Sequence, residues 1–270
     1  MPMELLVRGA RELGLELTPA QVAAFQVYYE ELIAWNQRFN LTTITDLAEV
    51  QVKHFLDSLT CLQAIPLPLL LPYQGRSEGT CRLAPGSNVI DIGSGGGFPG
   101  LPLKIVCPGM PLTLLDSVAK KTGFLRHIVG RLRLEGVEIV TARAEEAAHD
   151  PRHRARYAVA LSRAVAELPT LVEYALPFCQ VGGVFIAQKS AGIEAEISQA
   201  SRAIELLGGV LREARPIIVP GLEEPRLLVI VDKVQATPAQ YPRRPGMPTK
   251  RPILPKSQIF TAKHAESAEL

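Results

Sequence analysis

Val89-Ile90-Asp91-Ile92-Gly93-Ser94-Gly95-Gly96-Gly97-Phe98-Pro99-Gly100 runs an apolar strand into a carboxylate and then into a glycine turn. Glycine adopts positive φ without a Cβ clash, so such a turn brings backbone N–H groups up to a nucleotide-like ligand lying across the strand end. Gly95-x-Gly97-x-x-Gly100 formally satisfies the dinucleotide fingerprint, but Pro99 and Pro102 crowd the first helical turn. Asp91 would also repel a diphosphate. The same carboxylate suits a cation carrying an ammonium or a sulfonium, and S-adenosylmethionine carries both.

Further candidates fall at the ends of later strands. Asp116 closes Leu114-Leu115-Asp116 about twenty residues beyond the turn, where an acid accepts from two ribose hydroxyls. Ser117 and Val118 follow it, and Ala144-Glu145 follows the third strand, where a backbone amide and a carboxylate can read an adenine edge. A helix-capping role is open for each acid. Ser162-Arg163-Ala164 and Lys189 end the fourth and fifth strands, and a cation leaving an apolar strand suits a phosphate or base contact. Gln188-Lys189 lacks an Asn/Asp-Pro-Pro-aromatic signature, which weakens transfer to an exocyclic amine. His54 and Asp57 lie one helical turn apart, with a hydrogen-bonded structural pair favoured over a general-base pair.

The elements that must position these groups follow from periodicity. Thr18-Pro19-Ala20-Gln21 reads as a capping box, and Val22, Phe25, Tyr29, Leu32 and Ile33 continue a helix over about residues 19–36, with its aromatics and Trp35 in packing roles. A second helix begins near Asp46, so residues 1–64 form a helical region. Residues 65–87, rich in proline, glycine and serine, mark a linker. Strand patterns at 88–92, 111–115, 137–142, 157–161 and 183–188 alternate with helices as in parallel βαβ units, including one helix opened by Ser117. Strands at 210–219 and 227–233 are joined by only seven residues, Pro220 to Arg226, which permits antiparallel pairing alone and puts one reversed strand at the sheet edge.

The 270 residues are 47% hydrophobic and 21% charged, a globular composition in which prolines break the longest apolar run and no signal or membrane segment is expected. Cys61, Cys81, Cys107 and Cys179 form no C-x-x-C pair, so neither a metal site nor a disulfide framework is expected and all four read as reduced. Net charge is only +2, yet Lys233, Arg243, Arg244, Lys250, Arg251, Lys256 and Lys263 crowd one acid-free stretch. That local basic stretch, between residues 233 and 264 and mostly within a C-terminal arm of residues 235–270, suits a polyanion. Lys120, Lys121, Arg126, Arg131 and Arg133 read instead as a solvated helix face.

Trp35-Asn36-Gln37-Arg38-Phe39-Asn40-Leu41-Thr42, Lys53-His54-Phe55-Leu56-Asp57-Ser58, the glycine turn, Leu115-Asp116-Ser117, Ser162-Arg163-Ala164 and Tyr241-Pro242-Arg243-Arg244-Pro245-Gly246 together resemble the bacterial small-subunit (16S) ribosomal RNA guanine-N7 methyltransferases, the glucose-inhibited division protein B family. The resemblance spans residues 15–255, departing at the long linker. It implies an α/β fold of the Rossmann-like S-adenosylmethionine-dependent methyltransferase type, a mostly parallel seven-stranded sheet with an antiparallel last strand over residues 88–234. It implies S-adenosylmethionine held by Asp91, Gly93, Gly95, Phe98, Asp116, Ser117, Val118, Ala144, Glu145 and Arg163, without a metal. Arg163 and Lys189 are then expected to orient the guanine as catalytic residues. Asn36, Asn40, His54, Arg243, Arg244, Lys250 and Arg251 are expected to hold 16S rRNA, in a small subunit or an assembly intermediate, by a cytoplasmic monomer. An NAD-type oxidoreductase is the competing enzyme reading, but no Tyr-x-x-x-Lys or His-acid pair is found for it; an inactive RNA-binding scaffold is the non-enzymatic one.

Overall fold

A computed structural model describes residues 3–66, 69–71, 82–84 and 86–255. Lys256, Lys263, Cys81 and the centre of the proposed linker lie outside the described residues. Helix α1 spans Glu4–Glu12 and α2 spans Pro19–Phe39. The capping box forms: Gln21 N donates to Thr18 Oγ1 at 3.2 Å and Thr18 N to Gln21 Oε1 at 2.9 Å. Helix α2 runs three residues past its predicted end, because the residue that stops it is Asn40, which adopts the left-handed conformation at φ 47°.

Asp46 caps α3 (Leu47–Val50) through Oδ1, which accepts from Glu49 N at 3.0 Å. The helix then widens into a π-helical stretch over Gln51–Leu56, returns to α geometry in α4 (Asp57–Leu59), and tightens into a 3₁₀ turn over Thr60–Ala64. Lys53 and His54 sit on the π-helical stretch, a form of helix that recurs at functional sites. Within the proposed linker, β1 (Leu70–Leu71) pairs antiparallel with β2 (Arg82–Leu83).

The main sheet contains β3 (Val89–Ile92), β4 (Leu112–Asp116), β5 (Val137–Thr141), β6 (Tyr157–Arg163), β7 (Cys179–Ser190), β8 (Gly209–Ile217) and β9 (Arg226–Lys233). Between them run α5 (Gly100–Val106), α6 (Ala119–Arg131), α7 (Ala144–Ala147), α8 (Leu168–Ala175) and α9 (Glu194–Leu206), and a last turn, α10, covers Met247–Lys250. Strand order is β5-β4-β3-β6-β7-β9-β8, parallel from β5 to β7, with β9 antiparallel to both neighbours. The reversed strand is therefore the last in the chain, as its short link demands. It enters between β7 and β8, however, and leaves β8 at the edge. The crossovers change direction between β3 and β6, the switch point outside whose carboxyl ends open α/β sheets bind ligands.

Strand alternation feeds two cores. Val89, Leu114, Leu161 and Ile186 face α5, α6 and the N-terminal helices, whereas Ile90, Ile92, Ala160 and Phe185 face α8 and α9. Tyr28 of the helical region stacks with Phe98 and Phe124 in the first core, ring centroids 5.4 and 6.4 Å apart, and Phe55 packs tilted against Phe98 at 6.1 Å. Tyr28, fully buried, donates its hydroxyl to the Gly96 carbonyl at 2.5 Å, which pins the helices on the glycine turn.

Two local expectations are corrected. Cys107 is disulfide-bonded, whereas Cys61 and Cys179 are free and buried; spacing along the chain carries no information on which distant residues its return brings together. Ser117 does not open α6, whose N-cap is Val118; Asp116 takes the end amide instead, through the Val118 N–H to its Oδ1 at 2.9 Å.

Candidate functional site

Two adjoining cavities open at the carboxyl ends of the strands. The smaller, about 260 Å³, lies beyond β3, β4 and β5 and is lined by Gly93, Asp116, Ser117, Val118, Ala144 and Glu145 among others. The larger, about 690 Å³, lies between the helical region and the ends of β3, β6 and β7; its lining includes Gly93, Gly95, Phe98, His54, Arg163 and Lys189. Gly93, Lys121 and Ala164 belong to both.

The glycine turn is shaped by two acids. Asp116 Oδ2 accepts from Gly95 N at 2.9 Å, so one carboxylate ties the turn to the loop after β4. Gly95 holds φ +58°, and a Cβ built on it meets nothing nearer than the Gly93 carbonyl at 3.8 Å; a side chain there would occupy the larger cavity. Asp91 is placed differently from the expectation. It is fully buried and lines neither cavity, its Oδ2 accepting from Gly100 N at 2.9 Å while Oδ1 has no partner among the described residues. Its bond to Gly100 braces the start of α5, and burial pushes its carboxyl up to about 7.

On the opposite wall the Arg163 guanidinium is held in a fixed fork. Nη1 donates to the Lys53 carbonyl at 3.1 Å and to Asp57 Oδ2 at 3.0 Å, and Nη2 donates to His54 Nδ1 at 3.2 Å. Phe98 lies under both cation and imidazole, 4.9 Å from the guanidinium carbon and 4.4 Å from the His54 ring centre. Nε–H and the second Nη2–H of Arg163 have no acceptor among the described residues. Burial, reinforced by the Arg163 charge, pushes His54 down to about 3, and burial raises the Asp57 carboxyl against the pull of Arg163. His54 is thus neutral with its Nδ1 lone pair spent on Arg163, and among the described residues the side chains of His54 and Asp57 meet through that guanidinium and not by a hydrogen bond to each other.

Lys189 lines the larger cavity, but its ammonium donates to the Ala166 carbonyl at 2.8 Å and pairs with Glu196. Asn36 and Asn40 lie outside both cavities. Asn36 Oδ1 accepts from Thr42 N at 2.9 Å and Asn40 ends α2, so these residues shape the loop that brings Leu41, Thr42 and Ile44 to the cavity. Arg243 is likewise not a free basic group: it grips the fully buried Glu173 with Nε and Nη2. Arg154 holds the carbonyls of Thr237, Pro238 and Tyr241, and Glu145 Oε1 accepts from Gly246 N at 2.9 Å. The arm is fastened over residues 237–246, beside the smaller cavity, with Arg244, Lys250 and Arg251 exposed.

Sequence reasoning assigned no role in the site to Thr42 or Arg226, and put Lys121 on a solvated face; all three line the larger cavity. Lys121 carried one usable signal, its place in the first turn after an acidic strand end. Five cations but only two carboxylates line that cavity, in a chain whose net charge is +2. The field there is positive and suits an anionic partner.

The protein-family profile described as rRNA small subunit methyltransferase G matches residues 21–71 and 74–217. Ribosomal RNA small subunit methyltransferase G of Roseiflexus castenholzii is 49% identical over 252 residues, covering 93% of this chain and 100% of its own. The protein of the same name from Pelotomaculum thermopropionicum is 46% identical over 250 residues, covering 93% and 98%. That from Dehalococcoides mccartyi (strain CBDB1) is 43% identical over 252 residues, with 93% and 100% covered. With a profile over most of its length and full-length relatives at this identity, the chain belongs to the rRNA small subunit methyltransferase G family.

Proposed function

We propose that the protein transfers a methyl group from S-adenosylmethionine to N7 of a guanosine in 16S rRNA. The observation that carries this reading is the pair of adjoining cavities across the switch point, the smaller bounded by Asp116 and Glu145 and the larger by an excess of cations. The donor set fits the cofactor. Asp116 and Glu145 supply acceptors for hydroxyl and amino groups, and the open Gly95 turn leaves the space a side chain would fill. Ser117, Val118 and Ala144 complete the smaller cavity, and Gly93 joins it to the larger.

When bound, the cofactor supplies an electrophilic methyl group on a sulfonium. Guanine N7 offers a lone pair in the ring plane and has no proton to lose, so alignment matters more than a base. The chain's own residues match that demand: His54 is neutral with its lone pair spent, and Phe98 makes an apolar wall against Arg163 that excludes water. Arg163, through its two uncommitted N–H groups, orients the base and its phosphate. Lys189 contributes field and holds the β6–α8 loop through Ala166. Lys121, Arg226 and the exposed Arg244, Lys250 and Arg251 extend the basic track.

The partner is 16S rRNA in the small subunit or an assembly intermediate, met by a cytoplasmic monomer whose residues 1–64 and 235–270 flank the catalytic unit 88–234. No helix among the described residues is long and apolar enough to cross a membrane. The test is methyl transfer from labelled cofactor to small subunits lacking the modification, followed by aniline cleavage. The expected result is one chain break at one guanosine. Label without an aniline-sensitive site overturns N7 as the target, and no label overturns the reading.

A further inference from the structure

Thr42 reaches the larger cavity from the loop after α2 and has no assigned role. Its Oγ1 lies 3.0 Å from Ile44 N and 2.8 Å from His54 Nε2. The backbone N–H can only donate. The imidazole bond has a direction fixed by its other nitrogen: Nδ1 faces a guanidinium nitrogen of Arg163 at 3.2 Å, and a guanidinium has donors alone. Nδ1 therefore accepts, and the single proton of the neutral ring sits on Nε2 and points at Thr42. A hydroxyl has two lone pairs and one proton; both lone pairs are now taken. The proton is unspent, since Thr42 Oγ1 donates to no acceptor among the described residues. An ordinarily ambivalent group has become a donor only.

Resting on the guanine reading above, we infer that the Thr42 hydroxyl donates to guanine O6, the acceptor beside the methylated nitrogen, and so helps the site choose guanine over adenine. The base chemistry supplies the logic. On this edge guanine presents two acceptors, N7 and O6, whereas adenine presents N7 and an amino donor. A free hydroxyl could turn and accept from that amino group; Thr42 could do so only by giving up the bond from Ile44 or His54. Arg163 acts on selectivity at one remove, by fixing the His54 tautomer.

The test compares small subunits reconstituted with rRNA transcribed from guanosine or from 6-thioguanosine triphosphate, whose sulfur is a poor acceptor. Any effect of sulfur on assembly enters the ratio of kcat/KM between the two substrates equally for every variant and cancels when the ratios of wild type and variant are compared. The wild-type ratio is expected to exceed that of Thr42→Val by about tenfold, one hydrogen bond's worth. Thr42→Ser is expected to keep the wild-type ratio, and cofactor affinity measured by calorimetry is expected to stay unchanged in both. Should the valine variant fail to fold, Thr42→Cys, with its weak S–H donor, carries the same comparison and is expected to fall between the two. Equal ratios in wild type and variants overturn the assignment to O6, as does a loss of cofactor affinity that matches the loss of turnover. A wild-type protein that labels neither kind of subunit overturns the methyltransferase reading itself.

Discussion

The two walls of the site are built on opposite plans. The wall at the strand ends is local: Gly95 bonds Asp116 across 21 residues and Gly100 bonds Asp91 across 9. The wall from the helical region is tertiary, with Arg163 reaching Lys53, His54 and Asp57 across 106–110 residues and Gln188 reaching Asp57 across 131. Their buried groups also titrate in opposite senses, Asp91 pushed up to about 7 and His54 down to about 3. One wall is therefore a preformed cradle, and the other exists only while the helices stay docked. Damage to each should have a different signature.

The largest expected effect is on the docked wall. Arg163→Ala leaves Asp57, 4% exposed, without its main cation, and breaking a buried pair from one side costs roughly 3–5 kcal/mol. Urea unfolding should show that loss, and single-turnover methylation at saturating cofactor should fall with it. Cofactor affinity should change by less than about tenfold, because the cradle is intact. If affinity collapses as far as stability does, the two walls are one unit and the comparison fails.

The reciprocal break is Gly95→Val. A β-branched residue at φ +58° is strained by roughly 1–2 kcal/mol, and its side chain projects where the cavity lies. Calorimetry should find cofactor affinity down by about a hundredfold with only that modest loss of stability. A variant that binds cofactor normally would show that the turn is not the cradle.

The same contrast explains what the sequence disclosed. That Asp116, Gly93 and Glu145 line one cavity was legible because a strand end, a glycine turn and a following acid are neighbours along the chain, and period-two alternation announced the strands that carry them. Asp91 was assigned to the ligand from its position one residue before the turn's neighbour, yet the pleat turns it inward under Gly100, a matter of facing that a motif does not record. Thr42 and Arg226, on a loop of the helical region and on a late strand, meet only once the helices are docked, whereas Lys121 lines both cavities from the first turn of α6. Arg243 and Arg244 are adjacent and chemically alike; only the buried Glu173 beneath one of them separates an anchor from an exposed charge.

A sharper test uses pH. The folded His54 binds its proton less well than an unfolded histidine (about 3 against 6.5), so its contribution is complete above about pH 6.5 and is lost as pH falls toward 3. Folded Asp91 binds its proton more tightly than an unfolded aspartate (about 7 against 3.8), so its contribution is complete below about pH 3.8 and is lost as pH rises toward 7. Between about pH 4 and 6.5 the two slopes oppose, each at most about 1.4 kcal/mol per pH unit. Asp91→Asn should make stability climb with pH in that window, and His54→Gln should make it decline. Parallel profiles for the two variants would remove the electrostatic half of the comparison.

The smallest expected effect touches neither wall. Arg244 is exposed and has no ion pair among the described residues, whereas its neighbour Arg243 is tied to Glu173. Arg244→Ala should leave unfolding free energy within about 0.5 kcal/mol and cofactor affinity unchanged. If Arg244 meets a phosphate, the slope of log affinity for small-subunit RNA against log salt should become shallower by about one. The comparison with Arg243 makes the outcome informative: Arg243→Ala alters stability first and RNA binding through the loosened arm, while Arg244→Ala alters the salt slope alone. A slope unchanged by Arg244→Ala would place the RNA track on the cations of the larger cavity and leave the arm as a fastening beside the smaller one.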